Sequence, residues 1–278
     1  MAIRIGAVSF LNARPLIHGL QTNPDYTLCI DAPSVLAEKL RLGEIDVGLI
    51  PIVEYLRGVG DSLLPGICIA SDGPVRTVKL FSRVHPSQLT DVAVDSGSRS
   101  SVALLRILLA EKFDVTPDFH IHRADLQAML RTHEAALLIG DPAFATTGAP
   151  IIWDLGQGWQ ELVNLPFVYA VWTLGAGVDA ERVGRWLGAA KEQGLQRLDA
   201  IAHAAAGTAG QDEAALQSYL RESLRYDLGE RERRGIEAFQ KLCLRYNLVF
   251  AARELRFAAL PTAAPAPAGV PASAKPIG

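Results

Sequence analysis

Apolar and polar residues alternate in short blocks along the first half of the chain. Residues 3–8 (Ile3, Arg4, Ile5, Gly6, Ala7, Val8) are β-rich and alternate in part, which predicts a strand, and 26–30 and 45–50 repeat that character. Pro15 marks a place where a helix can start after the first strand. Ser34 as a cap, Val35, Leu36 and Leu40 on one face, and Gly43 as a stop predict a second helix. Strand, helix, strand, helix, strand with short connections implies parallel pairing and an α/β sheet.

A strand at 75–82 follows, and then the pattern restarts. Residues 92–95 form a short apolar strand, the loop Ser96, Gly97, Ser98, Arg99, Ser100, Ser101 follows, and 102–113 is a strongly apolar helix. A strand at 119–122, a helix at 126–131 and a strand at 135–139 complete the second unit, and 167–174 is an aromatic-rich strand. Beyond 181 the pattern is helical, over 181–204, 212–224 and 229–246. The restart predicts two α/β lobes, 1–84 plus 171–258 and 85–170, with the strands at 75–82 and 167–174 crossing between them. The helical remainder is expected to fold back on the first lobe. Such a layout suits a hinge-closing protein whose ligand sits in the cleft. Residues 259–278 hold five of the sixteen prolines and few large apolar side chains, which predicts a flexible tail.

Composition narrows the function. The 278 residues carry 27 Lys+Arg against 30 Asp+Glu, a net charge of −3, so a basic surface for nucleic acid is not expected. Three cysteines (Cys29, Cys68, Cys243) with no close pair argue against a disulfide scaffold. The opening residues lack a secretory pattern, and no window approaches 18 uninterrupted apolar residues; a cytoplasmic protein without a membrane span is expected.

The loop from Asp95 to Ser101 is the most informative local feature. Serine and glycine running from a strand into a helix present backbone N–H groups and hydroxyls at the positive end of the helix dipole, which suits a carboxylate or phosphate. Helix capping alone is the alternative. Asn12 and Arg14 occupy the equivalent place after the first strand, where open α/β sheets bind ligands; there too a cap and a solvated charge are the alternative. Asp141 before Pro142 reads as an N-cap. His120 and His122 share a strand face, but no third ligand at metal spacing accompanies them in the sequence, so no metal is expected. Neither dinucleotide and Walker fingerprints nor zinc-peptidase and hydrolase motifs occur.

Six segments, read together, resemble the chorismate dehydratase family of menaquinone biosynthesis: 5–16 (Ile5 through Asn12, Arg14 and Pro15 to Leu16), 46–51, 78–82, 95–104, 139–143 and 165–172. The resemblance spans about 3–250. It implies a periplasmic-binding-protein-like (type II) fold and dehydration of chorismate to 3-[(1-carboxyvinyl)oxy]benzoate, with no metal or organic cofactor. It also implies roles. Ser100 and Ser101 hold a substrate carboxylate, and Asn12 bonds the leaving hydroxyl or the enolpyruvyl carboxylate. Ser82 adds a hydroxyl, Arg14 a charge, and Asp141 orients a hydroxyl or caps its helix. No protein base is assigned, and the substrate's own enolpyruvyl carboxylate is a credible proton acceptor. The later pathway enzyme acting on cyclic dehypoxanthine futalosine typically opens with a Ser-Pro-Cys-Pro-Asn-like loop that this chain lacks. The alternative of another class is a non-catalytic protein that binds small anions.

Overall fold

The computed structural model describes residues 2–20, 24–144, 146–209 and 211–259; the expected tail lies, from 260 on, outside them. Ten strands form two five-stranded sheets. The first contains β1 (Ile3–Val8), β2 (Tyr26–Asp31), β3 (Val47–Pro51), β4 (Ser62–Ser71) and β10 (Phe167–Leu174), in the order β2-β1-β3-β10-β4. The second contains β5 (Val78–Ser82), β6 (Asp91–Asp95), β7 (Asp118–His122), β8 (Ala135–Ile139) and β9 (Ile151–Asp154), in the order β7-β6-β8-β5-β9. Both sheets follow one plan. Three parallel strands are joined through helices, and one antiparallel strand (β10 or β5) is inserted beside the third.

The central strands explain why the α/β pattern was readable. Every residue of β3 and of β8 is buried, as expected of strands covered on both faces. The edge strand β7 is largely exposed and carries alternating polar residues. Two strands departed from expectation. β4 was not predicted, because Pro65 and Gly66 interrupt its apolar run, and β9 is only four residues long. The lobe boundary also shifts. The strand expected to cross at 75–82 pairs only with β8 and β9, so β5 belongs wholly to the second sheet and the chain crosses before it. Likewise β10 pairs only with β3 and β4.

The helices are α1 (Pro33–Arg41), α2 (Ile52–Leu56), α3 (Ser100–Phe113), α4 (Leu126–Thr132), α5 (Asp141–Phe144), α6 (Leu155–Val163), α7 (Ala180–Leu195), α8 (Leu198–Ala209), α9 (Glu213–Ser218) and α10 (Glu230–Arg245). α1 starts from Ala32 with Pro33 in its first turn, two residues earlier than the Ser34 cap predicts. The single helix expected at 181–204 is broken between α7 and α8, and 212–224 ends in a wide π turn, Tyr219–Ser223. α7 packs on the 3-10 turn Leu11–Ile17 so closely that a Cβ on Gly194 would lie 2.0 Å from the Pro15 carbonyl oxygen. α3 is mostly apolar and packs against α2, α6 and α10, with Arg106 left exposed. Leu104, Leu105, Leu108 and Leu109 are fully buried, each worth about 1.5–3 kcal/mol over exposure, so the start of α3 rests on a rigid mount.

Candidate functional site

A cleft lies between the two sheets, at the ends of β1, β6 and β8. Its walls include Val8, Phe10 and Asn12 from the loop after β1, Gly97 and Arg99 to Ser101 from the loop after β6, and Ile139 and Gly140 from the end of β8. Pro51, Thr77 and Tyr169 come from the strands and the crossing segment. The space open to water centres is about 70 Å³, room for about five waters, so the lobes stand almost shut.

The contacts that shut them are specific. Leu11 N–H donates to both carboxylate oxygens of Asp141, at 3.0 and 3.2 Å. Val53 N–H donates to Ser100 Oγ at 3.2 Å. Arg99 Nε lies 3.8 Å from Glu54. Phe10 lies flat against Gly140, whose φ is +66°; a Cβ there would lie 2.6 Å from the ring, so both the backbone turn and the close approach require glycine. Each of these pairs joins the first lobe to the second. The crossing segment is pinned as well, because Val75 and Arg76 N–H donate to Asp154 at 3.0 and 2.6 Å.

The second-lobe loop is built to present N–H groups. Asp95 Oδ1 accepts from Gly97 N–H at 2.9 Å, and Ser98 N–H donates to the Asp95 carbonyl, folding 95–98 into a tight turn ahead of α3. Burial pushes the Asp95 carboxyl above its ordinary range, against that Gly97 bond. α3 then begins at Ser100 with no side-chain cap, so its first N–H groups point at the cleft at the positive end of the helix dipole. The Arg99 guanidinium folds back onto the carbonyls of Ser96 and Ser98 and keeps a positive charge at the rim.

Opposite it, Asn12 stands beside a buried polar pair, the Tyr219 hydroxyl and Thr77 Oγ1, 2.9 Å apart. Burial raises the Tyr219 phenol well above the ordinary range, so it stays protonated. Asn12 Oδ1 is left buried with no partner, an unusual cost unless a ligand supplies the donor. Tyr169, also protonated through burial, shares a 3.1 Å bond with Ser71 and forms part of the wall.

The expected site residues therefore divide. Asn12, Ser100 and Ser101 meet in the cleft. Asp141 borders it, but its carboxylate bonds Leu11 across the lobes rather than the start of its own short helix. Burial raises its carboxyl above the ordinary range, while Leu11 N–H and the Arg14 charge pull the other way. Arg14 does not reach the cleft. It sits on the far side of the 3-10 turn, in a separate pocket with His18 and Arg197. Ser82 is also displaced: it lies at the opposite end of β5 from Val78, fully buried, and its hydroxyl is used by Val84 O and N–H at 2.7 and 3.2 Å. Phe10 and Tyr169 lay inside matched segments without an assigned role, and Tyr219 carried no signal at all.

Comparison with known proteins identifies the family and the fold. The sequence model of a family described as menaquinone biosynthesis matches residues 3–245. The chain belongs to that family. It is 30% identical over 255 residues to a chorismate dehydratase of Thermus thermophilus, covering 84% of this chain and 93% of that protein. Among solved structures, an Archaeoglobus fulgidus protein is similar at a TM-score of 0.75 and 17% identity, covering 89% of this chain and 98% of that one. The periplasmic aliphatic sulphonate binding protein of Escherichia coli is similar at a TM-score of 0.61 and 20% identity, covering 91% and 95%. These likenesses give the fold, a two-lobed periplasmic-binding-protein architecture. Among the described residues no helix of this family member is long and apolar enough to cross a membrane.

Proposed function

We propose that this chain is a hydro-lyase that converts chorismate to 3-[(1-carboxyvinyl)oxy]benzoate and water in the cytoplasm. The observation that carries the reading is the meeting of the unpartnered Asn12 Oδ1 with the uncapped start of α3 in one closed cleft. The Thermus relative's name points to the same chemistry.

The ring C3–H of chorismate is conjugated through the C1=C2 bond to the C1 carboxylate. Removing that proton places charge on the carboxylate, and expelling the C4 hydroxyl then gives an aromatic ring. The proton from C3 leaves with the hydroxyl as water, so nothing else is consumed. The N–H groups of Ser100 and Ser101 hold the C1 carboxylate where charge develops, which favours the transition state over the ground state. An unpaired amide oxygen repels a carboxylate but accepts from a hydroxyl, so Asn12 Oδ1 takes the C4 O–H and orients the leaving group. The enolpyruvyl carboxylate of the substrate accepts the C3 proton and passes it to the departing C4 hydroxyl, so water leaves and the carboxylate is restored. The buried side chains of the wall keep water out while the intermediate is charged.

Incubation of the purified protein with chorismate, followed by ultraviolet absorbance and mass spectrometry, tests the proposal. The expected result is catalytic loss of one water with aromatisation. Stoichiometric binding without conversion refutes it and identifies a binding protein for small anions.

A further inference from the structure

We infer that the second lobe carries a transition-metal site of the zinc type, made by Asp91, His120 and His133, outside the cleft. The three residues are far apart in sequence, and the fold gathers them at the β6–β7 edge. Asp91 opens β6, His120 lies in β7, and His133 follows α4. One donor atom from each lies within 4.8 Å of the other two. His133 Nδ1 and Asp91 Oδ2 are 3.3 Å apart. Two ligands on a tetrahedral zinc, each about 2.0–2.1 Å from the metal, stand roughly 3.3 Å from one another, so this pair already spans one tetrahedral edge. His120 is exposed and its ring is free to turn, which closes the remaining distances.

The surroundings fit a ligand set. Glu134 N–H donates to the other oxygen of Asp91 at 2.8 Å, which fixes the carboxylate with one oxygen turned to His133. The rings of His120 and His133 stack at 4.8 Å with planes 21° apart. His122 stands edge-on to His133 at 5.1 Å, and the three proposed ligands leave a fourth tetrahedral position for water. Two imidazoles and one carboxylate favour zinc, nickel or copper over magnesium and calcium. None of these residues lines the cleft. The ion therefore acts as a staple: it ties β6, β7 and the end of α4 together in the lobe that carries the α3 anion-binding start.

Sequence reading had His120 and His122 on one strand face without a third ligand. The third and fourth candidates come from elements that only the fold brings alongside. The test uses the untagged full chain, first freed of metal with a chelator and then titrated calorimetrically with zinc chloride. One Zn²⁺ per chain is expected, and His120→Gln and His133→Gln should each weaken it at least tenfold. His203→Gln, at an exposed histidine paired with Glu213, should leave binding unchanged. Cobalt substitution should give the visible absorption of a tetrahedral ion in the parent and lose it in both variants. Zinc should also raise the melting temperature of the parent but not that of His120→Gln, while magnesium at the same concentration does neither. Because His120 is exposed, its variant keeps the test valid even where His133→Gln folds poorly. Absence of stoichiometric binding, or binding indifferent to His120→Gln, overturns the site and leaves an Asp91–His133 ion pair only.

Discussion

Asp141 is positioned to hold the lobes together rather than to act on substrate, and its removal separates the two roles. Its carboxylate receives Leu11 N–H from the opposite lobe, and no other cross-lobe bond ends on a cleft carboxylate among the described residues. A hydrogen bond to a charged group contributes about 1.5–3 kcal/mol net, and in the open form both partners return to water. Asp141→Ala should therefore lower the closed-to-open ratio roughly ten- to hundredfold. Asp141→Asn keeps an acceptor for Leu11 and should lose far less. Affinity for a benzoate resembling the product, which needs the closed form, should fall by up to the same factor in the alanine variant, and small-angle scattering should show a larger radius. An alanine variant that binds the benzoate as tightly as the parent, with unchanged dimensions, refutes the latch. Lost turnover at unchanged affinity would make Asp141 a catalytic group instead.

The same carboxyl sets a pH dependence whose sign is opposite to that of an ordinary ion-paired acid. Burial raises its pKa in the folded protein above the value of the unfolded chain. Between those two values the folded state binds the proton more readily, so this group's contribution to stability improves as the pH falls through the folded pKa toward the unfolded one. Above the folded pKa its destabilising effect is fully present. Asp141→Asn, which cannot ionise, should gain on the parent at neutral pH in thermal melts, and the gap should close toward the ordinary carboxylate range. A gap that widens on acidification contradicts the burial argument.

Further outcomes follow from the same geometry. Asn12→Ala should reduce kcat roughly a hundredfold or more with an unchanged circular-dichroism spectrum, and near-normal turnover removes Asn12 from the mechanism. Gly140→Ala meets both a φ of +66° and the Phe10 ring at 2.6 Å, so it should cost about 1–2 kcal/mol from backbone strain alone and weaken benzoate binding. Ser82→Ala should leave kcat/KM unchanged while lowering stability by about 1 kcal/mol, because its hydroxyl serves Val84 and not the cleft.

Much of the fold was legible because the two parallel cores are built from continuous apolar strands with Gly- and Ser-rich connections. Those are the local signals that periodicity reads, and they located β1, β3, β6 and β8 together with the helix after each ligand loop. What was missed had no local signature. β4 carries a Pro-Gly pair, and its strand state comes from pairing with β10, a partner about a hundred residues away. The site followed the same rule. Asn12, Ser100 and Ser101 sit where strand ends face the cleft in any α/β sheet, so their place was readable from their neighbours. Ser82 failed because a serine on a strand points to one end or the other only once register is known, and antiparallel β5 carries it away from the cleft. Tyr219, which stands beside Asn12, arrives from the C-terminal helices through a π turn that no sequence pattern announced.

In the proposed reaction closure and chemistry use overlapping groups, and this bears on how a protein of net charge −3 would select a dianionic substrate. Ser100 gives its hydroxyl to Val53 N–H of the first lobe, and its own N–H is among those at the start of α3. The proposed anion site is therefore complete only in the closed form, where water is excluded and the helix-start dipoles act at full strength. In the open form the same N–H groups are solvated and the overall charge offers no attraction. Affinity thus depends on closing, and closing depends on contacts such as Asp141–Leu11 and Phe10–Gly140. A substitution that loosens any of them should weaken anion binding without touching the anion, whereas Ser101→Pro, which removes a donor N–H at a position where helices tolerate proline, should weaken it with the lobes still able to shut. If Ser101→Pro left benzoate affinity unchanged while scattering showed normal closure, the start of α3 would not be the carboxylate holder.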